Sequence, residues 1–210
     1  MARPRSAGYD EKRQAILDRS AEVFAKNGYD RASMAEVAKA CGVSKALLYH
    51  YYVNKAALLF DILHDHLQEL LDAVNAVDAK LSPRARLSAL IAALLEAYRD
   101  ADNEHKIQVN ELGKLPVRQK KLLTDMEREL VRVFADAIAT VNPALAADAA
   151  LLKPVTMSLF GMLNWHYMWF REGKALTRED YAGLATTLIV EGAKALAMQG
   201  PAPAKRAARG

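Results

Sequence analysis

The chain has 210 residues, 52% of them apolar, with only ten Gly and seven Pro, so it can bury a substantial core and is neither disordered nor fibrous. Its lone cysteine, Cys41, excludes an intramolecular disulfide and points to a reducing compartment. The net charge of +4 is unevenly spread: residues 1–60 carry +4, residues 61–199 carry −3 and residues 200–210 carry +3, which gives the N-terminal module the bias that a phosphate-binding surface needs.

Taken in order, residues 1–8 hold Arg3, Pro4, Arg5 and Gly8 and read as a flexible basic arm. A first helix is predicted over 10–26, with Ile16, Leu17, Ser20 and Phe24 on one side and Asn27-Gly28 as its stop. Residues 34–53 then read as two short helices joined at Cys41-Gly42-Val43. Ser33 and Ser44 are suited to cap them, because each hydroxyl can accept from a free amide one turn in. Gly42 supplies the left-handed turn that a Cβ would penalise. Val37, Ala38, Cys41, Val43, Leu48 and Tyr51 fall where two crossed helices touch. Cys41 therefore reads as a small core residue rather than a redox sensor. Lys45, Ala46, Tyr49 and His50 are left facing outward. This is the layout of a helix-turn-helix whose second helix can enter a major groove, although an αα-hairpin with a Gly turn can also be plain scaffold.

Asn54 caps a long helix over 55–79 with Leu58, Leu59, Ile62, Leu63, Leu67, Leu70, Leu71 and Val74 as its apolar stripe. Further helices are predicted from Ser82-Pro83 to about Arg99, over 104–114, over 117–141, and from near Ala147 or Pro154 to Arg171. Glu172-Gly173-Lys174 reads as a loop, and Thr177 caps a last helix that runs to Met198. No alternating strand pattern and no internal repeat occurs. The expectation is all-α: three helices in a head and six in a body. No apolar run reaches the ~18 residues that span a bilayer. Residues 1–8 are too polar for a signal peptide, so the expected location is cytoplasmic, with no membrane partner.

In the head the expected DNA contacts are Ser44 and Lys45 at the groove floor or edge, Ala46 and Lys45 as base readers, and Tyr49 and His50 at phosphates. Ser33 and Lys55 are expected to grip the backbone on either side. Tyr49 could equally pack in the core, and His50 could simply be solvated. A single head makes too few contacts for a selective site, so a homodimer on palindromic double-stranded DNA is expected. Gly161, Gly183 and Gly192, with Leu159, Met162, Leu184, Leu188, Ile189 and Leu196, would form the dimer seam.

The run 161–173, GMLNWHYMWFREG, gathers two Trp, a Tyr, a Phe, two Met and a His. Such a run is as often core as pocket, but its apolar residues lie all round the helix. The expected effector-binding residues are Tyr98, Phe134, Asn164, Trp165, Met168 and Trp169, with Arg99 or Arg171 as a candidate phosphate partner. No catalytic residues, metal site or cofactor is expected. His64 and His66 are two apart and point to different sides of a helix, and no zinc spacing or phosphate-binding Gly loop occurs. The competing readings are an all-α enzyme and a helical adaptor in which the helix-turn-helix is only scaffold.

Phe24, Ala25, Gly28, Tyr29, Ser33, Ala38, Gly42, Val43, Ser44, Leu48, Tyr49, Tyr51, Tyr52 and Lys55 together resemble the head of the TetR family of bacterial transcriptional regulators, over about 50 residues. Ser33 stands where threonine is commoner, Lys45 where glycine or arginine is frequent, and Tyr52 where phenylalanine is usual. The resemblance implies a nine-helix fold, with residues 9–55 as the DNA-binding domain, residues 56–199 as the ligand-binding and dimerisation domain, and 1–8 and 200–210 as flexible basic ends. It also implies a ligand-responsive repressor. The aromatic run looks like those of members that answer to acyl-CoA thioesters, so an acyl-CoA-like small molecule is the expected effector.

Overall fold

The computed structural model describes residues 7–147, 149–171 and 176–198, and all its regular structure is helical. In chain order the helices are α1 (Ala7–Asn27), α2 (Met34–Ala40), α3 (Lys45–Tyr51), α4 (Lys55–Asn75), α5 (Pro83–Ala97), α6 (Asp102–Glu111), α7 (Val117–Val141), α8 (Pro143–Ala146), α9 (Ala149–Asn164), α10 (His166–Trp169) and α11 (Arg178–Met198). A 3-10 turn, Leu112–Lys114, follows α6. Apart from the four-residue α8 and α10, the described residues hold nine helices, as expected for this fold.

Local chemistry accounts for most of the boundaries. Pro83 and Pro143 each sit at the start of a helix, where a missing N–H costs nothing. The Thr177 hydroxyl accepts from the Asp180 amide at 3.0 Å, while Asp180 accepts from the Thr177 amide at 3.0 Å, so α11 opens with a reciprocal cap. The Thr177 hydroxyl also donates to the Asp180 carboxylate at 2.6 Å, and this bond, with the one from the Thr177 amide, holds the Asp180 carboxyl below its usual range.

Several expected boundaries move, the helix expected over 104–114 among them, which runs Asp102–Glu111. The long helix stops at Asn75 rather than at 79, because a turn begins there and the Val77 amide bonds to the Val74 carbonyl at 3.3 Å. The helix expected to reach Arg171 breaks at Trp165. Asn164, Trp165, His166 and Tyr167 are all mediocre helix formers, so the break is cheap. It also lets His166 and Phe170 turn inward toward α11 while Trp165 stays out. Ala7 and Gly8, expected within the arm, belong to the first turn of α1. Residues 1–6, the 172–174 loop and the 200–210 tail lie outside the described residues.

The described residues gather into two compact units. One takes residues from Met1–Glu69 and Asp100–Glu127, the other from Leu70–Arg99 and Arg128–Gly210. In the first, α1 packs on α2 and α6, and α2 packs on α3. Ile16, Leu17, Phe24, Val37, Leu48, Leu58, Leu59, Leu63 and Ile107 are buried there. Arg13 locks α1 to α4 by donating to Asp61 and Asp65, both at 2.8 Å. In the second unit, α11 packs mainly on α5 and also on α9 and α8. Leu87, Leu90, Ile91, Leu94, Phe134, Leu159, Leu163 and Ala185 fill its core.

Candidate nucleic-acid interface

The interface is built from the end of α1 onward. Gly28 takes φ +79°, open to glycine without strain, and its amide closes α1 on the Phe24 carbonyl at 2.9 Å. The turn after it is held from across the fold. The Lys55 ammonium donates to the carbonyls of Tyr29 (2.6 Å), Ala32 (2.9 Å) and Asp30 (3.2 Å) and lies 4.3 Å from the centre of the Tyr29 ring. Its three protons are thus committed to the turn. Lys55 was expected at the DNA backbone; here it positions the segment that delivers Ser33.

Ser33 opens α2 with a reciprocal cap. Its hydroxyl accepts from the Glu36 amide at 3.2 Å, and the Glu36 carboxylate accepts from the Ser33 amide at 2.7 Å. The bond from the Ser33 amide, with one from the Ser33 hydroxyl to the same carboxylate at 2.9 Å, holds the Glu36 carboxyl below its usual range. Glu36 was not anticipated, although the S-x-x-E spacing signals it.

Gly42 turns the chain with φ +64°, and the Val43 amide returns to the Ala38 carbonyl at 3.0 Å. Ser44 then caps α3, accepting from the Leu47 amide at 3.1 Å. Val37, Ala38 and Leu48 close the crossing between α2 and α3, while Cys41, Val43 and Tyr51 are half-buried. The Cys41 sulfur lies 3.8 Å from the Ile16 carbonyl, and burial pushes its thiol up, which disfavours the reactive thiolate. Tyr51 stacks on Tyr9 of α1, ring centres 4.8 Å apart.

The outward side of α3 carries Lys45, Ala46, Tyr49 and His50, all exposed. The Lys45 ammonium lies 5.9 Å from the Tyr49 ring centre, so the cation and the phenol share one surface. A seven-residue helix is about 10 Å long, against a major groove about 12 Å wide. This surface offers a cation, a methyl, a phenol and an imidazole, the last two suited to phosphate oxygens.

The expected effector residues separate into two sets. Tyr98 and Phe134 are buried, and the Tyr98 hydroxyl donates to the Asn164 side-chain carbonyl at 3.0 Å. Phe134 meets Phe160 edge-on, 5.2 Å between centres. Trp165, Met168 and Trp169 are 51%, 58% and 53% exposed, so no interior encloses them. The aromatic residues that do turn inward are His166 and Phe170, which sequence reasoning passed over. His166 stacks on Phe170 at 4.2 Å and on Tyr181 at 5.3 Å. Of the proposed phosphate partners, Arg99 pairs with Glu96 at 2.7 Å, and Arg171 donates to the Phe170 carbonyl at 2.7 Å.

The expected dimer seam divides likewise. Leu159 and Ile189 are buried within the unit, whereas Leu184, Leu188 and Leu196 are exposed, joined by Met157. Added Cβ atoms at Gly161, Gly183 and Gly192 would meet nothing within 4 Å, so the packing within this chain does not require glycine there. Among the described residues no group of three or more His, Cys, Asp or Glu could hold a metal ion, and no helix is long and apolar enough to cross a membrane.

Known proteins agree with this geometry. The family model for bacterial regulatory proteins of the tetR family matches residues 16–62, and the tetracyclin repressor-like C-terminal domain matches residues 80–193. The HTH-type transcriptional repressor KstR2 of Rhodococcus jostii is 24% identical, over 89% of this chain and 93% of its own length. A TetR-family transcriptional regulator from Bordetella parapertussis superposes with a TM-score of 0.81 at 33% identity, covering 85% of this chain and 94% of that one. AibR, solved in complex with isovaleryl coenzyme A and operator DNA, has a TM-score of 0.70 at 26% identity, covering 85% and 98%. The capped helix-turn-helix with its outward Lys45, Tyr49 and His50, the helical fold behind it, and matches across both halves lead to one identification: the chain belongs to the TetR family of transcriptional regulators, helix-turn-helix DNA-binding proteins with a ligand-binding domain, and not to an enzyme family.

Proposed function

We propose that this regulator is a cytoplasmic repressor that binds a palindromic operator as a homodimer and is released by an acyl-CoA thioester. The observation that carries the reading is the sidedness of α3: Leu48 is fully buried while Lys45, Ala46, Tyr49 and His50 are all exposed on a helix with a capped N-terminus. Residues 9–55 carry the DNA contacts, with Lys45 and Ala46 reading bases, Ser44, Tyr49 and His50 gripping phosphates, and Ser33 offering its cap from α2. Residues 56–199 carry the effector and dimer functions. Lys55 supports the interface from behind rather than touching DNA.

The dimer reading rests on the exposed apolar rows of the second unit: Met157 and Gly161 on α9, and Leu184, Leu188, Gly192 and Leu196 at four-residue steps on α11. Trp165, Met168 and Trp169 extend the same kind of surface and belong with it more naturally than with an interior pocket. The effector class is supported by the isovaleryl coenzyme A bound to AibR and by the Tyr98–Asn164 pair, a polar contact within a largely apolar unit. Effector binding would act through α4, the helix that continues from the head into the second unit. Recognition helices must sit about 34–36 Å apart to enter successive grooves, so a shift of a few Å would weaken both contacts at once. Only a ligand with unequal affinity for the two arrangements can cause it.

The test is a titration of the full chain with DNA from upstream of its own gene, at two salt concentrations, with and without a panel of acyl-CoA thioesters. Tight, salt-sensitive binding released by one thioester is the expected result. Binding that no thioester releases would remove the effector class, and no selective binding would remove the repressor reading.

A further inference from the structure

A second basic surface lies outside the helix-turn-helix. Residues 112–124, LGKLPVRQKKLLT, hold four cations and no carboxylate. Lys114, Arg118, Lys120 and Lys121 are all exposed. Lys121 pairs with Asp125 at 2.6 Å and Lys114 pairs with Asp30. Arg118 and Lys120 pair with no described carboxylate. Arg118, Lys120 and Lys121 occupy the first two turns of α7, which has no acidic residue in its first turn. A helix N-terminus already carries partial positive charge, so cations there gain nothing from the helix dipole. Val117, at the head of the same helix, is 86% exposed, so the start of α7 stands clear of the packed core.

The position of this surface suggests its partner. It belongs to the same compact unit as the helix-turn-helix. Lys114 is ion-paired to Asp30, and Glu111 accepts from the Tyr29 amide at 3.3 Å, so the chain from the end of α6 through the 3-10 turn is fastened to the turn that delivers Ser33. We propose that Arg118, Lys120 and Lys121, on a segment fastened to the head by Lys114, form an auxiliary phosphate-binding surface that engages the DNA backbone beside the half-site read by α3. The surface carries no information about bases; it raises affinity and lengthens the footprint. Duplex DNA is the polyanion held against this unit, and each phosphate neutralised releases counterions whatever the sequence. The inference rests on the operator-binding reading for its location but not for its charge.

The test replaces Arg118, Lys120 and Lys121 together by Gln (R118Q/K120Q/K121Q), which keeps the helix and removes the charge. Wild type and variant are titrated over a salt series against three duplexes: the operator with about ten base pairs of flank on each side, the operator trimmed to the palindrome, and a random sequence of the longer length. The expected result is at least a ten-fold loss on the flanked operator and on the random duplex. The salt slope should also fall by about two or more, at roughly 0.9 per phosphate contact, and the two proteins should nearly converge on the trimmed operator. Equal affinity and slope on both long duplexes would overturn the proposal. So would an equal loss on the trimmed and flanked operators, since that places the effect inside the half-site. If the wild type prefers no operator yet the variant still loses its hold on the random duplex, the basic surface stands and the operator reading falls. An unchanged melting temperature confirms that the comparison is between folded proteins.

Discussion

The helix-turn-helix and the α9–α10 segment are both pairs of helices joined at a break, and they resolve their apolar residues in opposite ways. In the first, two Ser caps and Gly42 set the ends, and Val37, Ala38 and Leu48 can only face each other. Polar and apolar positions are separated cleanly enough that the outward row of Lys45, Ala46, Tyr49 and His50 follows by exclusion. In the second, nearly every residue from Phe160 to Phe170 is apolar or aromatic, so the pattern does not say which side is in. The break at Trp165 decides it, sending His166 and Phe170 inward and leaving Trp165, Met168 and Trp169 half-exposed. Composition that is uniform round a helix leaves its orientation to tertiary packing.

The largest effect is expected in the head core. Leu48→Ala removes a side chain with no exposure and should lower the unfolding free energy by about 3 kcal/mol in a denaturant titration. A loss below about 1 kcal/mol would mean that the α2–α3 crossing is looser than its burial indicates.

The buried His66 is next. Burial, with a smaller contribution from the nearby His105, pushes its pKa down to about 3. The folded state therefore resists the proton that the unfolded chain accepts near its ordinary value. The stabilisation from keeping it neutral is complete above pH 6.5 and is lost as the pH falls from there toward 3. The slope is at most about 1.4 kcal/mol per pH unit for one such group. His66→Leu should flatten this acid limb of stability against pH between 6.5 and 4.5, and an unchanged limb would assign the loss to other groups.

Lys55→Met separates support from contact. It removes three charge-assisted hydrogen bonds from the turn before Ser33, so unfolding should cost about 2 kcal/mol less. The salt slope of DNA binding should stay constant. A slope reduced by about one, with stability intact, would return Lys55 to the DNA backbone.

For the second region, Leu188→Glu places a charge on an exposed apolar row. Light scattering at micromolar concentration should show a shift from dimer toward monomer, with the helical content kept. A dimer that persists would locate the seam elsewhere. The smallest effect is expected from Tyr49→Ala, about a ten-fold loss of operator affinity, near 1.4 kcal/mol. Stability should change by less than about 0.5 kcal/mol, because the side chain is 42% exposed. A loss of stability without loss of binding would make Tyr49 a packing residue.

The helical architecture, the position of the turn at Gly42, and both the inner and outer sides of α3 are legible in the residues alone. Each is fixed within a few residues, by caps, by glycine's access to positive φ and by the 3.6-residue period. α7, from Val117 to Val141, and the cap at Thr177 were legible for the same reason. Tertiary structure decided what depends on partners distant in the chain. Lys55 looks like a phosphate ligand until three carbonyls from the α1–α2 turn are brought to its ammonium. Trp165, Met168 and Trp169 look like pocket walls until the packing of His166 between Phe170 and Tyr181 leaves them half-exposed. The cations at the start of α7 look like a solvated run until the Lys114–Asp30 pair joins them to the head. A side chain's type and spacing set what it can bind, but which partner reaches it first is settled only when segments far apart in sequence are packed together.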